Sequence, residues 1–100
     1  MKDQVAVVTG GAQGIGFAVV QQLIEKGVRV ASWDFDSTNE KAMSEFGEKA
    51  MAVHCDIADP ASVESAYQQT SEALGVPVIL VNSAGIAGPN ATVELSLIHI

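Results

Sequence analysis

Short apolar runs and helically spaced apolar residues take turns along this chain. The runs are Val5 to Val8, Val28 to Trp33, Ala50 to Cys55 and Val78 to Val81. Between the first two, Ile15, Ala18, Val19, Gln22 and Leu23 fall at helical spacing with one polar interruption, and Gly27 suits a C-terminal cap. Ser37 with Glu40 three residues later fits a capping box for a second helix through Ala42, Met43 and Phe46, closing near Gly47. Asp59 before Pro60 fits an N-cap and a first helical position. Val63, Ala66, Tyr67, Thr70 and Leu74 then carry a third helix as far as Gly75. Strands that are apolar on both faces and separated by helices predict right-handed crossovers and a parallel sheet covered on both sides. The pattern is α/β, one half of a doubly wound fold.

Composition adds limits to this picture. One hundred residues, 48% hydrophobic and 17% charged, make one small packed domain and exclude disorder. That length is short for an enzyme holding both a cofactor and a substrate. The net charge of −7, with Lys2, Lys26, Arg29, Lys41 and Lys49 scattered, argues against a nucleic-acid surface. Cys55 is the single cysteine and has no internal partner, as suits a reducing compartment. Val5 to Val8 is too short for the core of a signal peptide, and no run of roughly 18 apolar residues could span a membrane. A soluble cytoplasmic protein is the expectation.

The richest stretch is Val5 to Gly16, VAVVTGGAQGIG. A strand ends at Thr9, glycines follow at Gly10, Gly14 and Gly16, and a helix begins near Ile15. Glycines let a backbone approach a ligand closely, and a helix N-terminus presents unpaired N–H groups and partial positive charge, so the stretch suits a phosphate. Asp34 stands 18 positions after Gly16, at the tip of the second strand. An acidic residue about 20 positions on is where the adenosine ribose lies in a dinucleotide fold.

The spacing TGxxxGxG at Thr9, Gly10, Gly14 and Gly16 resembles the cofactor turn of the short-chain dehydrogenase/reductase family. The resemblance covers about residues 3 to 90. Further matches come in order: Asp34, then Asp56 and Ile57 after the third strand, then Asn82-Ser83-Ala84-Gly85 after the fourth. The family pattern at the last site is usually Asn-Asn-Ala-Gly, from which Ser83 departs. The resemblance implies a partial, truncated Rossmann-like parallel sheet of strand order 3-2-1-4. It also implies that Gly10, Gln13, Gly14, Ile15 and Gly16 line a pyrophosphate and that Asp34 accepts ribose hydroxyls. Asp56 and Ile57 would flank adenine, and Asn82, Ala84 and Gly85 would lie along the middle of the cofactor. Asp34 favours NAD over NADP: a 2′-phosphate beside a carboxylate costs roughly 1 to 4 kcal/mol per unit-charge pair at ~4 Å, and no basic residue stands at Gln13 or Phe35 to offset it.

Other candidates fall to simpler readings. His54 and Asp56 point one way from a strand end and Cys55 the other, so the three do not converge on a metal. Cys55, Trp33, Met43 and Phe46 read as packing. The resembling family donates its proton from a Tyr with a Lys four residues on, helped by a Ser and an Asn. Here the only tyrosine, Tyr67, lies on a helix core face with Ser71 four residues later, so no catalytic residue is expected. The family match is expected to stop near Glu94, leaving residues 1–94 as the NAD-binding half and 95–100 as an apolar tail outside the family. The chain then reads as the N-terminal part of a longer, homo-oligomeric reductase acting on a small-molecule alcohol or ketone, cut by a sequence error. On this reading the fourth strand has one open edge and the chain is marginally stable. The alternative from another class is a noncatalytic nucleotide-binding module. A methyl-donor-binding domain fits less well, because it usually places an acidic residue before the first glycine, where Thr9 stands.

Overall fold

The computed structural model describes residues 4–12, 14–82 and 94–97. In chain order these form β1 (Val5–Thr9), α1 (Gly14–Glu25), β2 (Arg29–Asp34), α2 (Asn39–Ser44), a 3-10 turn (Gly47–Lys49), β3 (Ala50–His54), α3 (Pro60–Ala73), β4 (Ile79–Asn82) and β5 (Glu94–Leu97). One sheet runs β3-β2-β1-β4-β5. Its first four strands are parallel, so the 3-2-1-4 order expected of a Rossmann-like fold is present.

The strands are apolar throughout because the sheet is covered on both sides. Every residue of the central β1 is buried. Alternate residues feed two separate cores. Ala6, Val8 and Val30 pack with Val20 and Leu23 of α1 and Met43 of α2. Val7, Ala31, Trp33, Val53 and Cys55 pack with Ala66 of α3. Helices α1 and α2 therefore cover one face and α3 the other. Phe17 of α1 and Phe46, just after α2, have ring centroids 5.5 Å apart and tie α1 to the segment that follows α2. On the opposite face the Trp33 indole N–H donates to Thr70 Oγ1 at 2.9 Å, which gives the one polar atom of that ring a partner inside the core.

Two expectations change. The capping box at Ser37 and Glu40 does not form. Thr38 is the N-cap and makes no side-chain cap bond, and α2 is only six residues long. The turn before it is held by Asp36, whose Oδ1 accepts the Thr38 N–H and hydroxyl at 2.8 Å each. A carboxylate two residues ahead closes a tighter ring than the box would, and it wins locally. The second change concerns the edge. β4 is not open, because β5 pairs with it antiparallel, Ile79 opposite Leu97 and Asn82 opposite Glu94. Unpaired N–H and C=O groups on a strand edge accept any chain that can run alongside, and here the returning chain supplies it. Among the described residues β5 is the last strand on that side of the sheet.

The third helix keeps its predicted start. Asp59 Oδ1 accepts the Ala61 N–H at 3.1 Å and Pro60 takes the first helical position. Asp59→Ala should therefore lower stability by about 0.5 to 2 kcal/mol in urea unfolding, with no change in the slope of the transition. The two Thr38 bonds favour the charged form of Asp36 and hold its carboxyl below the ordinary value of 3.8. This stabilisation is complete above the unfolded value and is lost as the pH falls through the folded one. Thr38→Ala removes the hydroxyl bond and keeps the larger backbone N–H one, so it should raise the Asp36 carboxyl midpoint in an NMR titration but leave it below 3.8.

Candidate cofactor site

Four parallel strands bring their carboxyl ends to one side of the sheet, and the described residues among those predicted from the sequence lie at or just after these strand ends. Thr9 pairs in register with Trp33 on one side and with Asn82 on the other. Helices α1 and α3 lie on opposite faces, so the boundary between β1 and β4 is a topological switch point, the usual place for a ligand in such sheets.

The turn after β1 is built from glycine for conformational reasons at Gly10 and Gly14, whose φ angles are 70° and 60°. A side chain at either would be strained. Gly14, Ile15 and Gly16 then open α1, a 12-residue helix with no acidic residue in its first turn. Its N-terminal partial charge is thus not neutralised by its own side chains. Gly16 is buried, while Gly14 and Ile15 are exposed at the mouth of the turn.

Asp34, at the end of β2, is tied to this turn directly. Its Oδ2 accepts the Ala12 N–H at 3.1 Å, and its Oδ1 accepts the Asp36 N–H at 2.9 Å. Each carboxylate oxygen keeps a further lone pair for a ligand hydroxyl. Asp34 also lines a groove of about 390 Å³ with Asp36, Asn39, Glu40 and His54. A cation, Lys41, lines the neighbouring cleft with Ala12, Gly14 and Glu45.

A second cleft, of about 240 Å³, lies on the α3 side of the strand ends between Thr9, Trp33, Ile57, Val63, Leu80 and Asn82. Ile57 is 47% exposed at its rim and gives the cleft an apolar wall. The Thr9 hydroxyl donates to Asn82 Oδ1 at 3.0 Å, which orients the Asn82 amide at the switch point. Asp56 is not in either cleft. It is exposed and engaged in its own turn, its Oδ1 accepting the Ala58 N–H at 3.0 Å while its N–H donates to Ser62 Oγ. Gln13, Ala84 and Gly85 lie outside the described residues.

The remaining candidates separate as their strand positions require. His54 lines the groove beside Asp34, with its ring 5.1 Å from that of exposed Phe35. Cys55 is buried in the core on the other face, and that burial pushes its thiol above the ordinary value. Tyr67 packs half-buried against the same core. Gly11, Ala12, Ser32 and Asn39 did not stand out in the sequence: Gly11 and Ala12 are in the turn, Ser32 lies against Gly11, and Asn39 is bonded to Ser32. Ala12 acts through its backbone, and the other three through contacts between distant segments, so only the 3.6-residue and two-residue patterns of their elements showed in the sequence.

Comparison with known proteins supplies the family. The short chain dehydrogenase family model matches residues 4–99, past Glu94 and across most of the segment set apart as a tail. The chain is 39% identical to a 3alpha-hydroxysteroid dehydrogenase of Mediterraneibacter gnavus, the match covering 87% of this chain and 37% of that protein. It is also 39% identical to a D-threitol dehydrogenase of Mycolicibacterium smegmatis, over 97% of this chain and 39% of the relative. Among solved structures, a 3-ketoacyl-(acyl-carrier-protein) reductase from Brucella melitensis complexed with NADH superposes with a TM-score of 0.81 at 34% identity, over 85% of this chain and 35% of that one. The chain thus spans about two fifths of the length of the curated relatives it matches. With the glycine turn, the strand order and the match over residues 4–99 in agreement, the chain belongs to the short-chain dehydrogenase family.

Proposed function

We propose that this chain is the NAD-binding part of an oxidoreductase that interconverts an alcohol and a ketone on a small molecule. The observation that carries the reading is the bond from the Ala12 N–H to the Asp34 carboxylate, which fixes an acidic group beside the phosphate turn. In this reading Gly10, Gln13, Gly14, Ile15 and Gly16 take the pyrophosphate, with the α1 N-terminus offsetting its charge. Asp34 accepts the ribose hydroxyls. Ile57, with Asp56 beyond it, flanks the adenine. Asn82, Ala84 and Gly85 follow the cofactor toward its nicotinamide end. When bound, the nicotinamide supplies hydride transfer. The chain's own residues bind and orient; the proton donor and the substrate pocket belong to a longer parent, residues 1–94 forming its cofactor half.

The local charge supports NAD over NADP. A 2′-phosphate would face Asp34 with Asp36 and Glu40 in the same groove, while Lys41 shares its cleft with Glu45. Three carboxylates against one cation that is itself beside Glu45 make the groove unfavourable for a further anionic group.

Calorimetric titration of the chain with both cofactors tests this. NAD should bind tighter by about tenfold or more, and Asp34→Asn should narrow the gap mainly by improving NADP. Equal affinities would remove the preference, and no binding of either cofactor would remove the reading itself.

A further inference from the structure

A buried polar pair lies beneath the glycine turn, and nothing in the two apolar cores accounts for it. Ser32, in the middle of β2, is fully buried, and Asn39, at the start of α2, is 4% exposed. The Ser32 hydroxyl donates to Asn39 Oδ1 at 2.7 Å. The Asn39 amide N–H groups donate to the carbonyls of Ser32 at 2.9 Å and of Val53 at 3.3 Å. Asn39 thus clamps β2 to β3 and, by accepting the hydroxyl, fixes the Ser32 rotamer.

That rotamer decides what can stand above it. A Cβ added to Gly11 would fall on Ser32 Oγ, and would lie 2.9 Å from Ser32 Cβ and 3.2 Å from a Val20 methyl. On either side of this contact the turn is tied to the same strand. The Gly10 N–H donates to the Trp33 carbonyl at 2.8 Å, and the Ala12 N–H to the Asp34 carboxylate at 3.1 Å. Three consecutive turn residues therefore meet three consecutive residues of β2, and the middle meeting is steric.

We infer that Ser32, held by Asn39, is a positioning residue for the cofactor: it is the seat on which Gly11 rests, and it sets how close the phosphate turn lies to β2. The inference rests on the proposed function. Gly11 is glycine because of the side chain beneath it. A methyl at Gly11 lifts the turn away from β2, lengthens the Ala12 to Asp34 bond and displaces the N–H groups that face the pyrophosphate. Removing the Ser32 side chain makes room for that methyl.

The test is a double-mutant cycle on the full 100-residue chain, with NAD affinity measured by calorimetry and the thermal midpoint measured without ligand. Gly11→Ala should weaken NAD by about tenfold or more, and Ser32→Gly alone by about threefold. The double variant should return to within about threefold of Ser32→Gly, since contacting residues couple. Asn39→Ala should weaken NAD more in the wild-type background than beside Ser32→Gly. The inference is overturned if Gly11→Ala binds as the wild type does, or if the double variant binds no better than Gly11→Ala. If the unaltered chain binds no NAD, the proposed function fails, and the seat is judged on the midpoints: Gly11→Ala should lower the midpoint and Ser32→Gly should restore part of the loss, while no restoration rejects the seat.

Discussion

The hydrogen bond from the Ala12 N–H to the Asp34 carboxylate joins the two parts of the molecule that a dinucleotide would have to touch together. Much of the architecture bears on that bond. β1 and β2 must be parallel neighbours so that both end on the same side, and their register pairs Thr9 with Trp33, one residue short of Asp34. The chain leaving β1 must then fold back over the tip of β2 within a few residues. Gly10 makes that possible through its positive φ, and the Trp33 carbonyl anchors it. An acidic group so close to a helix N-terminus is well placed electrostatically, and it is not part of the helix's first turn. The site keeps both an anion-binding end and a carboxylate.

Each face of the sheet buries a polar pair, and each pair is bonded to backbone as well as within itself. On the α3 side, the Trp33 indole N–H donates to Thr70 Oγ1 and the Thr70 hydroxyl donates to the Ala66 carbonyl, within a core that is otherwise apolar. On the α1 and α2 side, the buried Ser32 and Asn39 bond to backbone as well as to each other. A buried amide left without partners would cost about 1 to 3 kcal/mol, so a polar pair at this depth persists only when fully bonded. Full bonding also confines it to one geometry, which is the property needed under a turn whose position matters.

Much of this fold was legible in the sequence because periodicity is local. The strands at Val5, Ala50 and Ile79 showed as apolar runs, and Asp59 with Pro60 marked α3 as it stands. The strand ends shifted because backbone pairing does not stop at polar residues. Asp34 and Asn82 both belong to their strands' ladders, although their side chains broke the apolar runs. The capping box at Ser37 failed because Asp36 offered a shorter-range bond, and β5 was missed because pairing of β4 with residues 94–97 is a long-range event. At the site, Gly10, Gly14 and Asp34 stood out by spacing. Gly11, Ser32 and Asn39 did not, since their importance is a contact between segments and leaves no periodic trace. Asp56 was placed by resemblance at the adenine; in the structure its Oδ1 accepts the Ala58 N–H, and neighbouring Ile57 lines a cleft.

The central claim is that the glycine turn, Asp34 and the cleft at the β1 and β4 switch point form one NAD site. Backbone amide NMR of the chain titrated with NAD tests it most directly. The account predicts saturable shifts concentrated at Gly10, Ala12, Gly14 to Gly16, Asp34 and Ile57, with α3 beyond Val63 and the 3-10 turn at Gly47 to Lys49 unaffected. Shifts that leave the Gly10 to Gly16 amides in place while appearing elsewhere, or no shifts with NAD at millimolar concentration, would contradict it.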